Sequence, residues 1–481
     1  MPIDRPDSCR PFGPAAGRAW LGWVLLSVLA VAMAGCATAR PDTRAAAEEV
    51  IRDLPPKWAA AAGVGPLSSR LLDLVGDDHL RELVVEALEG NHDLRAASHR
   101  LAASRRLLAE TRASRSPFVA GGYVAGRGNQ GFDELGRAEV ETRRRYSLEV
   151  SWEIDVWRRL ADLHDANEAF TRSEAAEVAA ARDALGARVI QAWVTAVSLR
   201  QAIAVEEERA RVLERLESSI MRRYRRGIGS LDDLAAARAG TGLARASVAG
   251  LEGDLERAHR ALELLLGRIP RGELETAEAL PTIAPVSTGL PATAMAQRHD
   301  VLSALWRLEA ADASAAAAAK ALLPGIRLTG DVSRDTGALS GFSDATTIWS
   351  VLGALTQPIF QRGLLKARSH ASRLELEAAW EDYQAVVLRA VGEVEDALSR
   401  ERSLARQRDH VGAALREAVR NREIFEGRYR AGLASVLELL QAEDQRMDVN
   451  RQVLALDGEI LSNRITLALA VGAGFEEDSE G

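Results

Sequence analysis

Residues 91–125 read NHDLRAASHRLAASRRLLAETRASRSPFVAGGYVA, and residues 298–332 read RHDVLSALWRLEAADASAAAAAKALLPGIRLTGDV. Both stretches follow one plan. A polar opening (Asn91-His92-Asp93, Arg298-His299-Asp300) leads into an alanine-rich helical run, then a proline (Pro117, Pro324), then a strand-like segment. Both landmarks lie 207 residues apart. A third pair, Arg223-Tyr224-Arg225-Arg226-Gly227 and Arg428-Tyr429-Arg430-Ala431-Gly432, lies 205 apart. A near-constant offset across three landmarks means internal duplication, with halves of roughly 200 residues. The duplication predicts a pseudo-symmetric body that further copies of the chain complete.

Long helices dominate both halves. Ala161 to Arg226 holds no proline, and Gly186 is its only glycine. Leu185, Val189, Ala192, Trp193, Ala196 and Leu199 recur at helical steps. A helix of ~65 residues is roughly 100 Å long. The second half repeats it from about Leu364 to Arg430. Each long helix then meets a glycine turn and a second helix, expected over Leu231–Leu266 and Val436–Leu469. Helices of this length cannot bury themselves in a globule and need a coiled-coil partner surface. Ala315 to Ala319 offers a face for close approach.

Four strands are expected against this background. Tyr146 to Asp155 alternates strictly, with Tyr146, Leu148, Val150, Trp152 and Ile154 opposed to Ser147, Glu149, Ser151, Glu153 and Asp155. Ile326 to Ser333 alternates likewise, while Phe118–Ala125 and Thr347–Gln357 are more apolar. Strands of ~8–11 residues suit a tilted membrane span. Charges on one face, including Glu149, Glu153 and Asp331, fit a water-filled lumen. Open strand edges in lipid leave backbone groups unpaired, at a cost on the order of several kcal/mol each. Four strands cannot close a barrel, so several chains must; three chains give twelve strands, an even number in the usual range. A small soluble sheet capping a helical bundle alternates in the same way.

Composition narrows the class. The chain has 481 residues and a net charge of −8, which speaks against a nucleic-acid footprint. Arg5, Arg10 and Arg18 precede an apolar run from Trp20 to Ala34, shorter than the ~20 residues of a spanning helix. The run ends in Met33-Ala34-Gly35-Cys36, which resembles a bacterial lipobox. That resemblance implies lipidation of Cys36, and Ala37 rather than aspartate after it favours the outer membrane. Cys9 falls in the removed segment, so redox chemistry is not expected. The expected plan is a signal peptide over 1–35, an extended leader over 36–75 and a first repeat over 76–267. A proline-rich link over 268–290, a second repeat over 291–472 and a disordered acidic tail over 473–481 complete it.

These features resemble the TolC-like outer-membrane factor family, and within it the lipoprotein branch found in multidrug efflux. The resemblance covers about Pro55 to Gly472. Asp78 to Leu83 through Ala87 to Asn91 resembles the family's first helix. Ser151-Trp152-Glu153-Ile154-Asp155-Val156-Trp157 resembles its strand-to-helix junction, with Thr356-Gln357-Pro358-Ile359-Phe360 as counterpart. Arg428 to Ser435 resembles its helix-turn-helix tip. His92 and His299 stand where the family usually has proline. The resemblance implies a fold that is mainly α with a transmembrane β-barrel contribution: three chains form a β-barrel in the outer membrane and a long α-helical barrel across the periplasm.

It also implies roles for residues. The tips, carrying Arg223, Tyr224, Gly227 and Ser230 and then Arg428, Tyr429, Gly432 and Ser435, would meet a periplasmic adaptor. From the residues themselves, Gly227 and Gly432 sit where a left-handed residue ends a helix, and Ser230 and Ser435 where N-caps are preferred. Beyond the tip, Leu437, Glu438 and Gln441 match the family's pore constriction, with Asp232 and Asp233 as first-half counterparts. Three copies of Glu438 would form an acidic ring favouring cations. Gln441 is neutral where relatives often carry an acid.

Enzyme readings fare poorly. Gly126 to Gly131 has the letters of a dinucleotide fingerprint, but no apolar helix follows, and it reads as a surface hairpin loop. The eight histidines are scattered; His92 and His99 alone do not make a metal site. No phosphate-binding loop is present, so energy must come from another protein. The expectation is a passive exit duct without cofactor, apart from the lipid on Cys36. It would be a homotrimer in outer-membrane lipid, working with an adaptor and an inner-membrane pump of the RND type to release small molecules such as drugs. A type I protein secretion duct and a pore-less periplasmic coiled-coil scaffold lipoprotein remain as alternatives.

Overall fold

The computed structural model describes residues 42–60, 71, 74–132, 138–336 and 346–474. The signal segment, Cys36 and most of the acidic tail lie outside the described residues. The chain divides into two compact units, residues 1–46 and 47–481. Of the first, only the start of one helix is described.

The duplication is plain in the order of elements. After α1 (Thr43–Arg52), the first half runs α2 (Asp78–Gly90), α3 (His92–Ala113), β1 (Phe118–Phe132), β2 (Ala138–Ile154), α4 (Arg159–Arg225) and α5 (Leu231–Leu265). The second runs α6 (Pro291–Gln297), α7 (His299–Lys320), β3 (Gly325–Thr336), β4 (Thr346–Thr356), α8 (Arg362–Arg430) and α9 (Val436–Ala470). Helices α3 and α7 each have 22 residues, α4 and α8 have 67 and 69, and α5 and α9 have 35 each. Among the described residues no helix is long and apolar enough to cross a membrane.

The helical periodicity read in α4 is the buried stripe: Leu185, Val189, Trp193 and Ala196 are all buried. Trp193 and Ile190 pack with Leu80, Val84, Leu262 and Ile283 in one core. A second core gathers Tyr383, Val387 and Val394 of α8 with Val301, Leu308 and Leu467. Its Tyr383 hydroxyl donates to the Ala47 carbonyl at 3.0 Å. Burial, with the nearby Glu48 charge, pushes that phenol up to about 12. A third, smaller cluster near the turns joins Leu213, Ile220 and Leu234 to Val436 and Leu440.

The four strands form one antiparallel sheet in the order β1-β2-β3-β4. Its register keeps like faces together. Leu148 pairs with Val332, which pairs with Trp349, while Glu149 pairs with Asp331, which pairs with Ser350.

Three expectations need correction. Gly126 to Gly131 is not a loop but part of β1, because Gly126 and Gly128 pair with Arg143 and Glu141 and extend the ladder. The backbone hydrogen bonds outweigh the entropic cost of glycine in a strand. The leader over 36–75 is not extended throughout: Thr43–Arg52 is helical, started by the Asp42 carboxylate, which accepts from the Ala45 amide at 3.0 Å. An aspartate before an alanine run is a capped helix start. The tail expected from 473 begins too early, since Ala473 is fully buried and the Gly474 carbonyl accepts from the Leu71 amide at 3.1 Å.

The leader and the link wrap the helices as a belt. Trp58 donates its indole N–H to the Gly289 carbonyl at 3.2 Å, and the Ala59 and Ala60 amides clasp the Glu395 carboxylate at 2.6 and 2.8 Å. In the link, the Arg271 and Gly272 amides donate to Glu263 at 2.6 and 2.8 Å. Burial works against that carboxylate, but the Gly272 and Arg271 amides outweigh it and hold its pKa below the ordinary range.

Candidate functional site

The chain's own surfaces define three places where it can act: the sheet faces, the turns at the ends of α4 and α8, and the seam between α4 and α9.

The sheet is held to the helices at its junction motifs. In Ser151 to Trp157, the Asp155 carboxylate accepts from the Leu160 and Ala161 amides at 3.0 and 2.8 Å and starts α4. Arg158 turns the chain with φ of 61°. The Trp157 indole donates to the Pro324 carbonyl at 2.8 Å, tying the first half to the proline that precedes β3. In the second half Gln357 donates to the Leu322 carbonyl at 3.1 Å. Beyond these junctions one sheet face is apolar and exposed, with Leu148, Val332, Trp349, Val351 and Leu355. Tyr123 and Tyr146 stack across strands on this face with ring centres 4.9 Å apart. The other face carries Arg145, Glu149, Glu153, Arg327, Asp331 and Asp335. Arg145 pairs with Asp335 at 3.3 Å and Arg159 with Glu153 at 2.5 Å. Both outer edges, on β1 and β4, lack a strand partner among the described residues.

The turns are as the sequence predicts. Gly227 and Gly432 have φ of +77° and +75°. The Ile228 and Leu433 amides reach back to the Arg223 and Arg428 carbonyls at 3.1 and 2.8 Å, the Schellman closure. Ser230 caps α5 through the Asp233 amide at 3.0 Å. Ser435 caps α9 in a full capping box: its hydroxyl accepts from the Glu438 amide at 3.2 Å, and its own amide donates to Glu438 Oε2 at 2.7 Å. The Ser435 amide, then its hydroxyl, hold the Glu438 carboxyl below the ordinary range. Among the described residues only Oε2 is engaged. Leu437, Glu438 and Gln441 lie together on the exposed face of α9, and Asp232 is exposed at the matching place on α5.

Two features of the turns were not legible in the sequence. Arg223 donates to the Tyr429 hydroxyl at 3.3 Å with its guanidinium 5.8 Å from that ring, so the two turns touch. Ile228 and Leu433, at equivalent positions, are 63% and 79% exposed and form apolar knobs at the apex. Substitution Gly227→Ala or Gly432→Ala is expected to strain the turn by ~1–2 kcal/mol. Faster amide exchange confined to the turn and the first residues of the following helix would register it. Unchanged exchange would mean the turns are not held in this form.

The third place, also missed, is a charge network across the α4–α9 seam. Glu206 is wholly buried; Arg209 binds its Oε1 at 3.0 Å and reaches Asp444 at 2.6 Å, while Arg451 stands 3.6 Å from Glu206 Oε2. Burial opposes the Arg209 charge, but Asp444 and Glu206 outweigh it and raise its pKa. No spacing rule marks a partner more than 200 residues away along two regular helices. The one available signal was a glutamate at an apolar position of α4. Among the described residues no group of three or more His, Cys, Asp or Glu could hold a metal ion.

Comparison with known proteins agrees with this layout. The family model described as "Outer membrane efflux protein" matches residues 83–268 and 290–473. The chain is 30% identical over 418 residues to outer membrane protein OprJ of Pseudomonas aeruginosa, covering 83% of this chain and 85% of that one. It is 26% identical over 408 residues to the cation efflux system protein CusC of Escherichia coli O157:H7, covering 83% and 87%. Its fold is shared with the solved outer-membrane channel OprN, with a TM-score of 0.80 at 24% identity over 87% of this chain and 96% of that one.

Proposed function

The chain belongs to the outer membrane efflux protein family, and from that premise we propose how its parts work. It is an outer-membrane exit duct of an efflux system, mainly helical, with its strands contributing to a barrel in the outer membrane. Members of the family are channel or transport proteins, and no catalytic step is assigned to this chain.

The observation that carries the mechanism is the sheet. One face is apolar and exposed, the other is charged along β2 and β3 but apolar on the outer strands at Phe118, Val124, Ile348 and Leu352, and both edges lack a strand partner among the described residues. In lipid that arrangement is stable only when neighbours pair the edges and the charged face turns to water. We infer a homotrimer of twelve strands in which the apolar face meets lipid and Glu149, Glu153 and Asp331 line the lumen. The charged face also argues against the scaffold alternative, which has no use for it. At the other end, the paired turns with the knobs Ile228 and Leu433 would dock a periplasmic adaptor. The exposed face of Leu437, Glu438 and Gln441 would narrow the pore, with Asp232 and Asp233 behind it. An inner-membrane pump, of the RND type, would supply energy and choose the small molecules. The α4–α9 network is the bolt that keeps the inner helices closed until an adaptor engages.

Two measurements test this reading. Native mass spectrometry in mild detergent is expected to show three chains, and a monomer would sink the duct. The same spectra should place the mature N-terminus at an acylated Cys36, with the acyl mass lost in Cys36→Ser. An unmodified N-terminus elsewhere would remove the lipid anchor. Crosslinking in cells should recover an adaptor and a proton-driven pump; recovery of an ATP-driven exporter would move the reading to protein secretion.

A further inference from the structure

Helix α4 has two unlike faces. Ile190, Trp193 and Val197 pack beneath the belt with Val75 and Ile283. The opposite face, at Thr195, Ser198 and Ala202, opens on a cavity of about 690 Å³ shared with α8 and α9. A second hollow of about 490 Å³ continues from it, and the two share Glu393 and Thr466. If the belt encircles the outside of the duct, this groove faces the lumen; its position there rests on the duct reading above.

The groove is built for a particular chemistry. Its walls include Val194, Leu199 and Leu454. At its floor, α9 comes so close to α4 that a Cβ on Gly458 would stand 2.5 Å from Ser198 Oγ. That hydroxyl oxygen is buried and has no hydrogen-bond partner among the described residues. Around the two hollows stand five carboxylates and three guanidinium groups. The guanidinium groups are already taken. Arg298 holds Asp300 and Glu393, each at 2.6 Å; Arg400 holds Glu459 at 3.2 Å; and Arg451 is committed to Asp448 and Glu206. His299 meets Asp183 at 2.7 Å. The remaining carboxylate, Asp396, is exposed and has no ion-pair or hydrogen-bond partner among the described residues.

We propose that this groove binds amphiphilic organic cations of drug size, with the cationic centre at Asp396 and the apolar body against Leu199 and Leu454. The cavity falls in the range of small-molecule sites, which pair apolar walls with a few polar groups that fix orientation. An anion of the same shape meets the surplus negative charge and is rejected. Arg451 lines the groove and also belongs to the α4–α9 network, so an occupant sits beside the helix that must move and slows flux.

Tetraphenylphosphonium and tetraphenylborate share one shape and differ in sign, which makes them the probes. Isothermal titration of the full-length protein in non-ionic detergent should show the phosphonium binding about tenfold or more tighter than the borate. Asp396→Asn should weaken the phosphonium about five- to tenfold. Asp409→Asn, an exposed acid on α8 outside the groove, should not. Ala455→Phe, which fills the groove from an exposed position, should abolish binding. Equal affinity for the two probes, or an Asp396→Asn protein that binds like wild type, overturns the site and leaves only partition into apolar surface. In planar bilayers the phosphonium should also reduce conductance. A preparation that binds it with the expected Asp396 dependence yet forms no channel would overturn the duct reading and uphold the groove.

Discussion

Arg209→Ala combined with Arg451→Ala is expected to raise the conductance of the bilayer-reconstituted duct about tenfold or more. Glu206 has no exposed surface, and these two arginines are the cations that face it across the α4–α9 seam. Removing them strands a buried carboxylate, a change that costs about 3–5 kcal/mol. The cost falls on the state in which α9 lies against α4, and each ~1.4 kcal/mol is tenfold in the balance of states. Arg209 also reaches Asp444 on α9, so the same substitution cuts the link between helices. Closure is not lost altogether, because Val436 and Leu440 still pack on Leu213 and Leu234. The origin of the effect can be isolated. Adding Glu206→Gln removes the stranded charge without restoring the link, and part of the closure should return. Arg211→Ala, on an exposed pair with Glu208 of the same helix, should leave conductance unchanged, since such pairs contribute little. An intact trimer whose conductance does not rise in the double variant would show that this seam is not the gate.

What the sequence disclosed and what it concealed follow from the range of each interaction. The long helices were legible because Leu185, Val189, Trp193 and Ala196 repeat a local period over many turns. The turns were legible because Gly227 and Gly432 need a positive φ that few other residues adopt, and because Ser230 and Ser435 sit where N-caps are preferred. The strand faces were legible because β2 alternates without error from Tyr146 to Ile154, though not through Arg143-Arg144-Arg145 before it. Where local signals conflict, the reading failed. Gly126 to Gly131 has loop chemistry, and only the register with β2 makes it strand. The network of Glu206, Arg209, Asp444 and Arg451 joins residues far apart in the chain, and nothing local specifies such a pairing. Asp396 became visible as unpaired only once every neighbouring cation had been assigned.

Arg298→Met is expected to lower stability by about 2–4 kcal/mol, read as the shift of the guanidinium midpoint by circular dichroism. The residue's place explains the size. The duplication puts Asn91 and Arg298 in equivalent positions, and each closes the hairpin of its own half. Asn91 caps α3 and donates its side-chain amide to the Leu265 carbonyl at 3.0 Å, the last residue of α5. Arg298 precedes α7 and donates to the Ala470 carbonyl at 2.8 Å, the last residue of α9. Both satisfy a carbonyl that a helix end leaves without an internal partner. Arg298 does more, since its buried guanidinium also binds Asp300 and Glu393, each at 2.6 Å. Those two carboxylates are 44% and 48% exposed and can rehydrate, so most of the loss comes from the buried carbonyl and the cavity rather than from the ion pairs. Arg298→Lys keeps the charge but not the fork and should fall between. The acid dependence separates the parts. Burial pushes the Asp300 carboxyl up, but Arg298 outweighs it and holds the pKa below the ordinary aspartate range. Its contribution is therefore complete above the unfolded pKa and is lost only as pH falls through the lower folded one. The gap between wild type and Arg298→Met should accordingly be constant from neutral pH down to the ordinary aspartate range and narrow below it. A gap under about 0.5 kcal/mol at neutral pH would mean that water replaces the guanidinium without cost. A gap that never narrows in acid would mean that the carbonyl and packing carry all of it and Asp300 none.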